Sequence, residues 1–261
     1  MKPIFDPSAF DWIIESRTPF PAEINTAIGV EISRVIPLEF ERYAKILHRL
    51  DAHYENIDRP LCADEIAVLN LPNCAVVRNL VVEKRGSSST SRILWRDAAN
   101  ALGLPYAPGL NHSWFSARLK PHPECWPRFI YGPGEGSLEA AECHELASLL
   151  IVVTGKQECY FRLAEMPFIA TEQNLMFAGK LDEVESFFVN GTFQFTPEYW
   201  WPSDRTWCVC SDYDLDFTIV GGNPVLIDSL LRSEILECIE VAPDTRIDYL
   251  TPIPEHHLRR G

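Results

Sequence analysis

The clearest hydrophobic pattern in the chain lies between residues 199 and 241. Two runs rich in β-forming residues, 206–212 and 217–220, flank the polar tetrapeptide Y-D-L-D and predict a tight antiparallel hairpin. Asn223 and Pro224 suit the cap and first residue of a helix, and the apolar side chains after them recur at helical spacing. Because 236–241 again favours a strand, the sequence predicts a C-terminal β-β-α-β unit of the α+β class.

The N-terminal half carries weaker patterns. Apolar residues at three- and four-residue spacing after Pro37 predict an amphipathic helix to about Tyr54, with His48 on or near it as a partly buried, hydrogen-bonded histidine. Residues 27–35 alternate well enough to form a strand. The other predicted elements are helices at 8–16, 63–71 and 91–102, a strand within 75–82 and a loop at 87–91.

The middle of the chain contains a segment rich in proline and aromatic residues, 104–136, with neither helical nor strand period. Packing of its rings should order it, and it is long enough to line a groove. A long helix should follow from Ser137 to about Val153. Strands at 159–163 and 174–178, a short helix at 181–189 and a surface tail after Pro243 complete the prediction. Together with the C-terminal unit, they predict a single mixed or antiparallel sheet of about five or six strands, flanked by helices.

The composition favours one compact α+β domain. The chain has 261 residues, of which 46% are hydrophobic, and no Gly/Ser-rich or strongly charged linker separates the predicted elements. We expect a single domain, 1–261, which can divide into two lobes. These are a helix-rich lobe with the aromatic segment, 1–136, and a sheet-containing lobe, 137–261.

The charge limits the classes of partner. A net charge of −14 argues against a nucleic-acid surface, which needs clustered Lys and Arg, and suits a basic protein partner. The N-terminus lacks the features of a secretory signal, and no apolar run approaches the roughly 20 residues of a membrane helix. We therefore expect a cytoplasmic protein that contacts neither membrane nor nucleic acid.

The eight cysteines fit structural thiols better than a metal site. Cys208 and Cys210 should share one face of a strand, but their spacing differs from a zinc C-x-x-C motif and no second pair completes four ligands. Free thiols are typical of a large chain without a secretory signal. We expect neither a metal nor a cofactor.

The C-terminal half resembles a family of bacterial proteins for which no function is known to us. The resemblance rests on W-W-P-x-D-R-x-W-C-V followed by D-x-D-x-x-x-V-G-G and an apolar helix. The segments 29–48, 93–103 and 158–163 are similar to the opening and middle of that family, whereas Arg49 stands where the family pattern has proline. The resemblance implies a single fold over most of the chain and transfers no catalytic residue.

One cluster could carry chemistry. On an extended strand, Asp212, Asp214 and Asp216 would project to one side, and three convergent carboxylates suit a hard divalent cation. The same residues span the predicted hairpin turn, where aspartate is favoured because its side chain accepts bonds from nearby backbone N–H groups. His112 is the candidate base if the cluster is catalytic.

Four neighbouring residues are candidates for binding. Trp200 and Trp201 are either core residues or exposed anchors for a partner. Asp204 and Arg205 follow them, and the Arg205 guanidinium could tie down a hairpin carboxylate through a two-pronged bond.

The sequence therefore favours a non-enzymatic cytoplasmic binding or regulatory module, whose acidic surface neutralises a basic protein partner. It lacks any recognisable set of nucleophile, base and orienting residue. The alternative is a metal-assisted hydrolase built on the aspartate cluster.

Overall fold

A computed structural model provides the structure of the chain. It describes residues 1–20, 29–52, 54, 72–85, 92–119, 130–164, 175–189, 195–248 and 251–253. The chain divides into two compact units. Unit 1 comprises Met1–His48 and Gly134–Arg246, and unit 2 comprises Arg49–Pro133 and Ile247–Gly261.

The described residues form helices and strands throughout both units. The strands are β1 Lys2–Pro3, β2 Arg42–Leu47, β3 Leu50–Ala52, β4 Arg92–Ile93, β5 Ile130–Tyr131, β6 Glu158–Arg162, β7 Met176–Lys180, β8 Tyr199–Pro202, β9 Cys208–Cys210, β10 Phe217–Gly222 and β11 Glu237–Val241. The α-helices are α1 Asp11–Glu15, α2 Pro72–Arg85, α3 Trp95–Ala101, α4 His112–Leu119, α5 Ala140–Thr154, α6 Ser186–Val189 and α7 Pro224–Leu231. Short 3-10 turns cover Pro7–Phe10, Ile32–Arg34 and Leu181–Glu185.

Unit 1 is built on an eight-stranded sheet with the order β1-β7-β6-β8-β9-β10-β2-β11. Every neighbouring pair in this sheet is antiparallel. The α+β class is confirmed, but the prediction of five or six strands was too small. Three strands of the sheet were not predicted: β1 has only two residues, β8 is a four-residue run before the predicted hairpin, and β2 was mistaken for part of a helix.

The predicted β-β-α-β segment at the C-terminal end of unit 1 has the predicted order of elements. Strands β9 and β10 pair as a hairpin, with Ile219 opposite Cys210. Helix α7 begins at Pro224, and the Asn223 side chain accepts a hydrogen bond of 2.9 Å from the Leu226 N–H. Strand β11 returns to the same sheet, although it pairs with β2, which lies between β10 and β11.

One face of this sheet, the helix-covered face, packs under α5 and α7. Its strands contribute apolar side chains that are fully buried, and the helices contribute leucines and one isoleucine to the same cluster. Alternation along each strand places these side chains on one side. The members include Ala44, Ile46, Phe161, Trp200, Val209 and Val220 from the strands, and Leu146, Leu150, Leu226, Ile227 and Leu230 from the helices.

The opposite face, the N-terminal face, is covered by described residues from the segments 10–17 and 35–40. Phe10 packs against Tyr199 and Trp201, with ring centroids 5.1 and 5.9 Å apart. The Tyr199 hydroxyl donates to the Val35 carbonyl at 2.7 Å. A Cβ on Gly221 would lie 2.3 Å from the Phe40 ring, so the ring rests directly on the β10 backbone there.

The predicted helix from Pro37 to Tyr54 was wrong, because residues 42–47 form β2 and 50–52 form β3. Strand β2 is buried on both sides, with Tyr43, Ala44 and Lys45 all 2% exposed or less. A strand buried on both faces loses the two-residue alternation, so its apolar positions imitated helical spacing.

Three further predictions were corrected. Residues within 75–82 belong to α2 instead of a strand, and the described part of 27–35 forms an isolated bridge at Glu31 and a 3-10 turn. Segment 104–136 contains α4 and β5. A short apolar run does not distinguish a strand from a helix, which explains the errors at 75–82 and 27–35. The predictions at 63–71 and 87–91 lie outside the described residues.

Unit 2 has a three-stranded antiparallel sheet with the order β4-β3-β5. Its core includes Trp95 and Phe115, whose ring centroids are 5.0 Å apart. The Trp114 indole N–H donates to the Thr251 carbonyl at 2.8 Å, and Ile247 is buried. The tail after Pro243 therefore contributes to packing at least as far as Thr251, because an apolar residue and a carbonyl there have partners within the unit. No described helix is long and apolar enough to cross a membrane.

Candidate functional site

The tip of the β9–β10 hairpin is closed by a tight turn. The Leu215 N–H donates to the Asp212 carbonyl at 3.0 Å, and the Asp214 N–H donates to Asp212 Oδ1 at 3.0 Å. The Asp212 carboxylate thus accepts a hydrogen bond from the turn backbone. This bond is the one expected if the aspartates serve to form the turn.

The three aspartates of the cluster lie in different environments. Asp214 is exposed, Asp212 is partly buried and Asp216 is buried. Burial raises the pKa of Asp212, against the opposing effect of the bond from the Asp214 N–H. Among the described residues, no group of three or more His, Cys, Asp and Glu side chains could hold a metal ion. His112 is exposed at the first residue of α4 in unit 2.

An exposed tyrosine occupies the tip between two of these carboxylates. Tyr213 is 49% exposed, and the negative charge of Asp214, followed by slight burial and the charge of Asp212, raises its pKa. Behind it lies Gly136, with a left-handed φ of +68°, where a Cβ would stand only 2.5 Å from Tyr213 Cα. Only glycine fits both the backbone conformation and the space.

The loop that contains Gly136 is bonded to the hairpin tip. The Gly136 N–H donates to the Leu215 carbonyl at 2.9 Å, and Glu135 is exposed beside it. We call Glu135, Gly136, Asp212, Tyr213 and Asp214 the tip surface. It combines three carboxylates with one accessible aromatic ring.

A buried polar network supports the tip surface from inside unit 1. His48, directly after β2, contacts the Gly134 carbonyl through Nδ1 and Thr218 Oγ1 through Nε2 at 2.9 Å. Thr218 Oγ1 also lies 2.6 Å from Ser211 Oγ. His48, Thr218 and Ser211 are all at most 1% exposed. Burial lowers the pKa of His48 to about 4, against the bond to Gly134, so the ring is neutral near pH 7.

The candidate tryptophans are both core residues. Trp200 and Trp201 are 0% and 1% exposed and lie on opposite faces of the sheet. Trp200 belongs to the cluster of the helix-covered face, and Trp201 stacks on Tyr160 with centroids 5.6 Å apart. Neither ring is available as an exposed anchor.

Asp204 and Arg205 form a second turn, before β9. Asp204 Oδ1 accepts from the Thr206 backbone N–H at 3.1 Å and from its hydroxyl at 2.8 Å. Arg205 adopts a left-handed φ of 57°, and its guanidinium lies 5.0 Å from the centroid of the Trp12 ring. Within the described part of the chain it makes no ion pair with a hairpin carboxylate, so the proposed two-pronged bond is not formed.

Sequence reasoning missed one buried cation. Lys45 of β2 is 1% exposed, and its Nζ lies 4.7 Å from the centroid of the Phe217 ring. Burial lowers its pKa to about 7, and the Asp216 carboxylate opposes this shift. No local pattern marks such a lysine, because its environment is made by strands distant in sequence.

Four of the cysteines in unit 1 are buried thiols. Cys143, Cys159, Cys208 and Cys210 are free and buried. Burial raises the pKa of the Cys143 and Cys159 thiols to about 12, so neither supplies a reactive thiolate near pH 7.

Comparison with known proteins adds no further constraint. No family model, curated protein or solved structure matches this chain. The site is therefore described by its own geometry: an acidic surface with an exposed aromatic ring, supported by a buried polar network.

Proposed function

We propose that this protein is a non-enzymatic binding or regulatory module that meets a basic protein partner through the tip surface. The observation that carries the proposal is the exposed Tyr213 ring between Asp212 and Asp214, on a hairpin bonded to the 134–136 loop. A cytoplasmic location, the neutralisation of the partner and membership of the resembled bacterial family belong to the same proposal.

The chemistry of the tip surface suits a lysine or arginine side chain of the partner. A cation on the face of an aromatic ring gains about 0.5 to 1 kcal/mol at an exposed site. The ring has few rotatable bonds, so it loses little conformational entropy on binding. Asp214 supplies the opposite charge beside it, and the net charge of −14 attracts a basic protein over a longer range.

The metal-assisted hydrolase has no comparable observation in its favour. Its three aspartates differ in exposure, and Asp212 accepts a bond from the turn backbone. We therefore propose the binding module alone.

The proposal is tested by changing Asp214 to Asn in the full chain and measuring binding of a partner captured from the source cell. We expect the association rate to fall roughly two- to threefold with little change in dissociation, because a charge on the rim acts mainly on encounter. Asp244→Asn is the matched control, since Asp244 is also exposed in unit 1. Tyr213→Ala should instead speed dissociation, because it removes a contact of the bound state.

The salt dependence provides the second arm of this experiment. The Debye length falls from about 10 Å at 0.1 M salt to about 3 Å at 1 M, so association should slow steeply over that range. Equal association rates in low and high salt, or failure to capture any basic protein, would overturn the proposal.

A further inference from the structure

We propose that His48 is the positioning residue of the tip surface, since it holds the 134–136 loop and the β9–β10 hairpin in one arrangement. This inference rests on the proposed function of that surface. The backbone of His48 donates to the Asp216 carbonyl at 3.1 Å, and its ring reaches both Gly134 and Thr218. One residue thus contacts both segments that carry the tip surface.

The direction of each hydrogen bond follows from the atoms involved. The Gly134 carbonyl can only accept, so His48 Nδ1 carries a proton and donates to it. In a neutral ring Nε2 then has no proton, so the Thr218 hydroxyl must donate to Nε2. Thr218 has used its proton, so the Ser211 hydroxyl donates to Thr218 Oγ1. All the hydrogen bonds of the network therefore point the same way: Ser211 donates to Thr218, Thr218 donates to His48, and His48 donates to the Gly134 carbonyl.

The two ring nitrogens of His48 bond to segments that differ in how firmly other contacts hold them. The Nε2 side contacts Thr218, which the β10 pairings with β2 and β9 already hold in place. The Nδ1 side contacts Gly134, in a loop outside the helices and strands. Gly136, two residues later, backs Tyr213 and bonds to Leu215. Of the two ring bonds, the Nδ1 bond is therefore the one that holds the loop, alongside the Gly136 bond to Leu215 and the bond from the Thr196 N–H to Ser137.

Two conservative substitutions separate the two sides of the ring. In His48→Asn the amide nitrogen takes the place of Nδ1, so the bond to Gly134 can be kept and the bond to Thr218 is lost. In His48→Gln the amide reaches the place of Nε2, so the bond to Thr218 can be kept and the bond to Gly134 is lost. Both variants remove the ring. Asn is one methylene shorter than Gln and leaves the larger void, so loss of volume alone would affect His48→Asn more, which is the reverse of the result expected below.

Hydrogen exchange of individual amides measures the effect without any partner. We expect exchange of the Gly136 amide to accelerate about tenfold in His48→Gln, the size of effect of one buried hydrogen bond, and to stay within about threefold of wild type in His48→Asn. The amides of β6 and β8, elsewhere in the sheet, should be unchanged in both. The proposal is overturned if Gly136 exchanges alike in the two variants, or if the β6 and β8 amides accelerate equally, which would mean general destabilisation.

Binding of a short oligolysine peptide separates this inference from the proposed function. If His48 positions the surface, His48→Asn should bind the peptide like wild type and His48→Gln severalfold more weakly. Equal binding by wild type and both variants contradicts the positioning role. If wild type does not bind oligolysine while the exchange results are as expected, the proposed function fails and the structural role of His48 stands.

Discussion

The two faces of the sheet in unit 1 are buried by different chemistry. Under α5 and α7 the helix-covered face consists of apolar side chains and thiols, and the buried network of His48, Thr218 and Ser211 forms its polar end. The N-terminal face includes cations: Arg162 lies 4.3 Å from the centroid of Phe10 and pairs with Glu198 at 2.6 Å, and Lys45 lies over Phe217. Arg17 donates to the Tyr199 hydroxyl at 2.6 Å.

The difference shows that burial and hydrophobicity are separate properties of a sheet face. A cation can be buried when an aromatic ring or a carboxylate replaces part of its hydration. The apolar cluster under α5 and α7 should respond mainly to loss of volume. The buried ionisable groups, Lys45 on the N-terminal face and His48 at the polar end of the other, should respond to pH.

The largest effect is expected from Trp207→Ala on the helix-covered face. Trp207 is 0% exposed, packs edge-on against Trp200 at 6.2 Å and donates its indole N–H to Thr154 Oγ1 at 3.3 Å. We expect the free energy of unfolding to fall by about 3 to 5 kcal/mol in a urea titration. Tyr213→Ala, at an exposed ring, should change it by about 0.5 kcal/mol or less. A loss under about 1 kcal/mol for Trp207→Ala would mean that this face tolerates a cavity.

Lys45→Met tests the cation of the N-terminal face. The unfolded chain keeps a charged lysine to its usual pKa of 10.5, whereas the folded chain loses the proton near pH 7 because of burial. Between these values the unfolded state binds more protons, so wild-type stability rises with pH. Relative to Lys45→Met, wild type should gain about 2 kcal/mol between pH 7 and pH 9, measured by urea unfolding at each pH. Parallel stability curves for the two proteins would show that Lys45 does not titrate in this range.

His48 gives a smaller pH effect at the polar end of the helix-covered face. Its ordinary pKa of 6.5 is lowered to about 4 by burial, so the unfolded chain takes up the proton first as the pH falls. Stability should therefore decrease on acidification, by roughly 1.5 kcal/mol between pH 6.5 and pH 5, relative to His48→Gln. Thermal unfolding over this range measures it. An unchanged difference between the two proteins would place a charged or exposed imidazole at this position.

The parts of the fold that sequence could predict are local. The hairpin, the Asn223 cap and α7 depend on neighbouring residues, and helix α5 ends at Thr154, one residue after its predicted end. Strand β2 could not be recognised, because segments distant in sequence pair with both of its edges and others cover both of its faces, and burial on both faces removes its alternation. Nothing near Lys45 in the sequence indicates the Phe217 ring that covers it.

For the candidate site too, the sequence could predict the features that depend on neighbouring residues and no others. The turn at Asp212 follows from local chemistry, and so does the acidic character of the hairpin tip. The burial of Asp216, the support of Tyr213 by Gly136 and the bonds of His48 depend on contacts between segments far apart in sequence. The polar motif Y-D-L-D indicates an exposed turn that carries Tyr213. The sequence does not indicate that the 134–136 loop packs behind this turn to form the tip surface.

The position of β2 between β10 and β11 has a consequence for synthesis of the chain on the ribosome. The contact between His48 and Thr218 spans 170 residues, so β2 leaves the ribosome long before its two partner strands exist. At about 5 to 20 residues per second, this interval lasts roughly 10 to 30 s. Throughout it, a segment that is buried in the folded sheet lacks the strands that pair with both of its edges, and such exposed segments are prone to aggregate and to bind chaperones.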